Sequence, residues 1–244
     1  MSVVERELAT LKKFFERKLE VPLEVPDWIT DHTLQHWREN DFSAHYLPKF
    51  TLREHAHLPL WQDQPEKIFY DKIREGILPA DAATLPGKWI LIDSRDKPAK
   101  KVPWIRSDNV WLLEKIGLRP KQFFQTWSRQ AHGNDYLRDS LLEKGYGSRF
   151  CMNIHEIREL YPFILHRLRV DSNKTIRLPY FAEYNYLGNT VYPQWRTTTT
   201  WEWLEDTLED GRHLASGRGS VGVLGFDPPN FWSTILTFRP VVEL

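Results

Sequence analysis

The sequence predicts an α+β fold, and three observations support this prediction. Residues 2–20 have the pattern of an amphipathic helix, with Ser2 and Glu5 at the spacing of a capping box. Residues 87–93 form a short apolar run between turn-forming residues, which is typical of a strand. From Arg177 onward Pro, Gly, Tyr, Trp and Thr become frequent, which favours short strands joined by long ordered loops.

Further helices are predicted between these segments from start and stop signals. Pro65 opens a helix that Gly76 ends, and a capping box at residue 153 begins a helix that continues to about residue 168. Residues 27–60 mix Trp, His and Pro without a clear period, so this stretch is predicted to be irregular. Three more helices are predicted over residues 108–116, 120–131 and 135–144.

One helix is also predicted within the C-terminal part of the chain. Thr199 and Glu202 have capping-box spacing, which predicts a helix from about Thr200 to Leu208. That helix would carry a solvated acidic face without the alternating spacing of a calcium-binding loop. The residues of this face are Glu202, Glu205, Asp206, Glu209 and Asp210.

The composition is that of a globular protein without a strong electrostatic field. Of 244 residues 41% are hydrophobic and 27% are charged, and 33 Lys and Arg balance 33 Asp and Glu. Because the charges balance, the sequence favours a protein that binds no nucleic acid. The single cysteine, Cys151, excludes an internal disulfide framework and a cysteine-rich zinc site.

The sequence predicts one domain with an N-terminal addition. Residues 1–60 are predicted to be a helical extension and residues 61–244 the main domain, since no low-complexity linker separates later segments. The N-terminus is charged and no apolar run approaches the about 20 residues that cross a bilayer, so we expect no export signal and no membrane segment. This predicts a cytoplasmic or virion-associated protein, either a monomer or a weak homo-oligomer.

Several motifs that resemble reactive or binding sites are better explained structurally. Residues 217–222 spell G-x-G-x-x-G, but two prolines follow where a dinucleotide site requires a helix. The pairs His32 with His36 and His55 with His57 lack a clear third metal ligand. We therefore predict no catalytic residue, no bound metal and no cofactor.

A basic segment leaves a nucleic-acid-binding function as an alternative. Basic residues flank a tryptophan here, a combination seen where phosphates and bases are bound, although a solvated loop is favoured in a neutral protein. The residues are Arg95, Lys97, Lys100, Lys101, Trp104 and Arg106.

The C-terminal part resembles the formylglycine-generating-enzyme (sulfatase-modifying) family. The motifs are Thr-Trp-Glu-Trp at 200–203, a glycine turn within residues 212–220 and Thr-Phe-Arg at 237–239, in the family's order. The resemblance implies a C-type-lectin-like fold, in which Trp201 and Trp203 pack under a small twisted sheet and Phe238 and Arg239 lie on the last strand. Enzymes of that family use paired cysteines or copper, which this sequence does not match.

Four motifs, at residues 177–181, 187–189, 192–195 and 199–203, accompany this C-terminal order. On these residues the chain is also similar to the variable proteins of diversity-generating retroelements, which are prokaryotic or viral and have a hypervariable stretch before the last strand. This resemblance implies a variable region at residues 215–236 on a scaffold that includes Val221 and Leu224. The expected ligand-contacting positions are Arg218, Ser220, Gly222, Gly225, Phe226, Asp227, Asn230, Phe231, Trp232, Ser233 and Ile235.

The predicted function is therefore binding of a protein or glycan ligand, with no chemical step. An exposed aromatic-rich surface would supply affinity, with Phe231 and Trp232 as the strongest candidates or, alternatively, as core residues. One alternative is an enzyme of the same fold without the cysteine chemistry. The other is a nucleic-acid-binding module that uses the 95–106 segment.

Overall fold

The computed structural model describes residues 2–15, 25–55, 58, 60–95, 149–150, 152–198, 200–231, 233 and 235–244. The predicted helices at 108–116, 120–131 and 135–144 lie outside these residues. The helices are α1 (Val3–Phe15), α2 (Asp31–Glu39), α3 (Lys67–Arg74), α4 (Ile154–Arg158), α5 (Tyr161–Leu168), α6 (Phe181–Thr190) and a 3-10 helix (Pro193–Thr197). The strands are β1 (Phe42–Thr51), β2 (Thr84–Asp93), β3 (Ile176–Arg177), β4 (Trp201–Thr207), β5 (His213–Ser216), β6 (Leu224–Asp227), β7 (Leu236–Thr237) and β8 (Val241–Glu243).

The first sheet contains four antiparallel strands in the order β1-β2-β8-β3. Its longest pairing joins β1 to β2, from Phe42 opposite Asp93 to Thr51 opposite Thr84. Strand β8 lies between β2 and β3 and connects them. The predicted boundary near residue 60 therefore falls between β1 and its partner β2, and the first 60 residues contribute a strand as well as helices.

The second sheet has the order β6-β5-β4-β7. Its first two pairings are antiparallel, whereas β7 runs parallel to β4, with Trp201 opposite Leu236. The chain between β6 and β7 must therefore cross from one edge of this sheet to the other. That crossing segment contains five of the eleven predicted ligand-contacting positions.

Two hydrophobic cores lie on opposite faces of these strands. On β2, Ile90 and Ile92 enter the first core while Leu91 enters the second, and all three side chains are fully buried. The second sheet divides in the same way, since Leu204 and Leu214 belong to the first core and the second core includes Trp203, Ala215 and Phe238. Burial of both strand faces makes these sequences apolar without a simple alternation.

Several predicted elements are confirmed. Ser2 and Glu5 form reciprocal backbone-to-side-chain hydrogen bonds at the start of α1, and Asn153 with Glu156 does the same at α4. Gly76, with φ of +75°, follows α3 as the helix-ending residue. The predicted strand at 87–93 forms the second half of β2. The mixture of helices and mainly antiparallel strands is compatible with the α+β class.

Two predictions of local structure are wrong. The predicted helix from Thr200 to Leu208 is strand β4, because Trp203 and Leu204 must point into opposite cores. Its acidic residues are consequently not one solvated face, since Glu202 and Asp206 are buried. The stretch at 27–60, predicted to be irregular, contains α2 and β1.

Candidate ligand-binding face

The C-terminal face, defined as residues 218–235, begins at a turn that backbone contacts fix. Gly217 and Gly219 have φ of +105° and +80°, a region that favours glycine. The Gly219 N–H donates to the Thr198 carbonyl at 2.6 Å. The Ser216 hydroxyl lies 2.7 Å from the Val223 carbonyl and 3.2 Å from that of Val221. A strand, β6, follows this glycine motif, so the helix that a dinucleotide site requires is not at this place.

Val221 attaches this turn to helix α6. Its side chain is fully buried in the first core, and a Cβ on Gly188 would lie 2.6 Å from Val221 Cγ1. The Asn185 amide also donates to the Val221 carbonyl at 3.1 Å. Val221 is thus a packing residue of the first core.

Gly222 differs from the other predicted ligand-contacting positions that the structure describes because it is buried. A Cβ at this residue would lie only 2.1 Å from the Gln64 carbonyl oxygen, and the Glu66 N–H donates to the Gly222 carbonyl at 3.0 Å. The expectation that Gly222 is exposed and substitutable is therefore corrected: no side chain fits there.

Strand β6 presents its residues to two different sides. Leu224 and Phe226 are partly buried against the first core, so Phe226 contributes to packing. Gly225 lies against Trp201, with 3.4 Å between its ideal Cβ position and the indole ring. The half-buried Asp227 carboxylate has no hydrogen-bond or ion-pair partner among the described residues, and desolvation raises its pKa.

A tight turn after β6 contains the most exposed part of the face. The Phe231 N–H donates to the Pro228 carbonyl at 2.8 Å, while the Pro229 carbonyl accepts from the Ile154 N–H at 3.1 Å. Asn230 is exposed, and 39% of the Phe231 surface is accessible. The backbone of this turn is thus attached to α4 while two side chains point outward.

The remaining predicted positions have mixed environments. Arg218 is exposed, and Ser220, Ser233 and Ile235 are half-buried. The Ile235 carbonyl accepts from the Trp201 N–H at 2.7 Å, which attaches the end of the face to β4. Trp232 lies outside the described residues.

The other residues predicted to form the scaffold differ in burial and in position. Trp203 is fully buried and its indole N–H donates to the Met152 carbonyl at 2.9 Å, whereas Trp201 is only half-buried. Phe238 and Arg239 are buried, but they follow β7 and precede β8, so neither lies on a strand. That part of the expectation is corrected.

Arg239 is the centre of a buried ionic cluster. Its guanidinium forms two hydrogen bonds of 3.1 Å with the Glu202 carboxylate, and a third contact joins it to the Asp93 carbonyl. It also lies 3.9 Å from the centre of the Trp195 ring. Burial alone would lower the pKa of Arg239, but Glu202 and Asp93 raise it, so the arginine stays charged.

The aromatic cluster beneath Arg239 was not predicted from the sequence. Trp195 stacks against both Tyr184 and Tyr192, with ring-centre distances of 5.4 and 4.3 Å. The Tyr192 hydroxyl lies 2.7 Å from His45 Nε2, and His45 Nδ1 lies 3.1 Å from Glu7. The only available signal was the high aromatic content of the segment 180–203, which does not specify contacts with residues 7 and 45.

Asp206 has the most unusual ionisation among the described carboxyl groups of β4. Its Oδ2 accepts from the Phe181 N–H at 2.5 Å, at the start of α6. Desolvation is the main cause that raises the pKa of Asp206, to about 7; the Phe181 hydrogen bond opposes this rise and the nearby Glu183 carboxylate adds to it. Asp206 therefore exchanges a proton near neutral pH while it caps a buried helix.

No protein-family model, curated protein or solved structure matches the chain.

The other candidate sites from the sequence have ordinary roles where the structure describes them. His36 Nε2 lies 3.0 Å from the Arg167 carbonyl, His55 is highly exposed, and His57 lies outside the described residues. Arg95 binds the Asp93 carboxylate at 2.9 Å, while residues 97–106 of the basic segment are not described. Within the described ranges, no group of three His, Cys, Asp or Glu side chains could hold a metal ion. No described helix has the length and apolarity needed to span a membrane.

Proposed function

We propose that this chain is a ligand-binding protein with a C-type-lectin-like fold, in which a retroelement diversifies the C-terminal face to recognise different protein or glycan targets. One observation carries the proposal: contacts outside the face hold its backbone while several of its side chains are not needed for packing. Arg218, Asn230 and Phe231 are exposed, whereas the backbone around them is bound by Thr198, Asn185 and Ile154.

A variable recognition surface requires a backbone that is held by contacts elsewhere and side chains that take no part in packing. Side chains that do not pack can change without loss of the core, and binding loops are commonly positioned by a rigid scaffold in this way. The charged residues in the segment 218–235 are Arg218 and Asp227. Such a surface offers few groups for acid–base chemistry, which favours binding over catalysis.

A pair of substitution libraries tests the proposal. The first library randomises Arg218, Ser220, Asn230 and Phe231, and the second randomises Val221 and Gly222 as a matched control in the same segment. We expect most members of the first library to keep cooperative thermal unfolding, because their side chains are exposed or half-buried. Most members of the control library should fail to fold, since Val221 is buried and Gly222 meets the Gln64 carbonyl.

Binding and the genomic neighbourhood provide the functional readouts. Display of the first library against protein and glycan panels should yield binders that differ in sequence at the randomised positions. Sequencing of the encoding DNA should show a near-copy of the region for residues 215–236, differing at adenines, beside a reverse-transcriptase gene. Equal intolerance of the two libraries, or binders whose affinity does not depend on the randomised positions, would argue against the proposal.

A further inference from the structure

Strand β6 is an outer strand of the second sheet, and one of its edges has unused hydrogen-bonding groups. The Leu224 N–H donates to the Glu66 carboxylate at 3.3 Å, on the side away from β5. In an antiparallel ladder, the N–H and C=O of a residue point to the same side, and this orientation repeats at every second residue. The N–H and C=O of Phe226 therefore point away from β5, and no backbone partner on that side occurs among the described residues.

Strand β6 is only four residues long, and it contains no Lys, no Pro and no bulge. Native proteins often place Lys, Pro or a bulge on exposed edge strands to prevent pairing with another chain. The sequence here is Leu-Gly-Phe-Asp, paired in regular register with β5. The Glu66 carboxylate occupies the Leu224 N–H at the start of this edge, so the open part of the edge is at Phe226.

A charged group and an aromatic group lie beside this edge. The Asp227 carboxylate is half-buried at the end of β6 and, within the described part of the chain, has no cationic partner. A half-buried carboxylate of this kind would be stabilised by a Lys or Arg from a ligand. Four residues further on, Phe231 exposes 39% of its surface, which is available for apolar contact.

We propose that the ligand of the C-terminal face is an extended polypeptide that adds a strand to the second sheet along β6, with a Lys or Arg beside Asp227 and an apolar side chain against Phe231. This inference rests on the proposed function and specifies its ligand class. A polypeptide matches the edge because its alternating N–H and C=O groups can pair with those of Phe226, as in known modes of strand addition. The basic residue is required by the charge of Asp227.

The test uses the full chain and a displayed library of random linear peptides. We expect enrichment of peptides that combine apolar residues with Lys or Arg. The variant D227N should weaken their binding by about tenfold or more, the size of one charge-assisted pair. The matched control E209Q removes an exposed carboxylate elsewhere and should leave binding unchanged. Because Asp227 has no cationic partner in the described residues, D227N should fold, which its thermal unfolding curve can verify.

Backbone pairing has its own readouts. Hydrogen exchange of the Phe226 amide should slow when an enriched peptide binds, and N-methylation of alternate peptide amides should abolish binding. Some peptides or glycans could require the Arg218 or Phe231 side chain for binding and yet leave hydrogen exchange of the Phe226 amide unchanged. That result would overturn strand addition, whereas the proposed function would still hold. Ligands whose binding is unchanged by substitution of Arg218, Asp227 or Phe231 would overturn both strand addition and the proposed function.

Discussion

Replacement of Asp206 by Asn should remove a pH dependence of stability that the buried carboxyl group creates. The pKa of Asp206 is raised from 3.8 to about 7 in the folded chain. Between these values the folded state keeps a proton that the unfolded state has released, so the free energy of unfolding falls as pH rises. The full interval corresponds to about 4 kcal/mol, at about 1.4 kcal/mol per pKa unit.

The sign and size of this effect define the assay. Between pH 5 and pH 8, the Asp206 carboxyl should lower the free energy of unfolding by roughly 2.5 kcal/mol. Urea denaturation of the wild type and of D206N, followed by tryptophan fluorescence at several pH values, gives this quantity for each protein. Their difference cancels most of the contribution of other titrating groups such as His213, whose pKa is lowered by desolvation. The D206N variant should gain stability relative to the wild type as pH rises and level off above pH 7.

Parallel stability curves for the two proteins would refute this reasoning. Such a result would mean that the Phe181 N–H bond at the start of α6 compensates fully for the loss of hydration around the Asp206 carboxylate. The matched variant D210N changes an exposed carboxylate in the following turn whose pKa is lowered by Arg212. It should show no comparable change between pH 5 and pH 8.

Two further predictions concern buried polar groups. R239M should lower the free energy of unfolding by about 3–5 kcal/mol, because it leaves the Glu202 carboxylate buried without its main partner. In a double-mutant cycle, the double variant E202Q/R239M should recover part of this loss. Additive effects of the two single changes would contradict the pairing. Y192F should cost about 1–3 kcal/mol in urea denaturation, because His45 Nε2 loses its 2.7 Å partner, and unchanged stability would show that this contact contributes little.

Sequence patterns predicted elements that depend on local chemistry. Helices α1 and α4 begin with capping boxes, and Gly76 adopts the left-handed conformation that ends α3. These signals need only residues within one helical turn of each other. The apolar run of β2 was found for the same reason, although its first residues, before Gly87, were not.

Elements buried on two sides were missed or misassigned. On β4, Trp203 enters one core and Leu204 the other, while Glu202 is buried through an ion pair with Arg239, 37 residues away. Polar residues inside the protein conceal the alternation that identifies a strand, so the local capping-box spacing of Thr199 and Glu202 was misleading. Helix α6 was missed because nearly all of its residues are buried and no polar face remains.

The predicted face shows the same limit of sequence reasoning. The resemblance in motif order predicts a variable segment at residues 215–236, but it could not distinguish Arg218, which is exposed, from Gly222, where an added Cβ would meet the Gln64 carbonyl. That distinction depends on a loop more than 150 residues earlier in the chain. Only the tertiary arrangement brings residue 64 to residue 222.

The position of β8 between β2 and β3 has a consequence for synthesis of the protein. Residues 241–243 are translated after the segment 218–235, and β3 pairs with β8 in the first sheet. A frameshift or stop codon within residues 218–235 removes β8, so β2 and β3 lose the strand that joins them. The first sheet can therefore be completed only if translation continues in frame through residue 243. Products that end or change frame earlier should stay unfolded and be degraded by proteases.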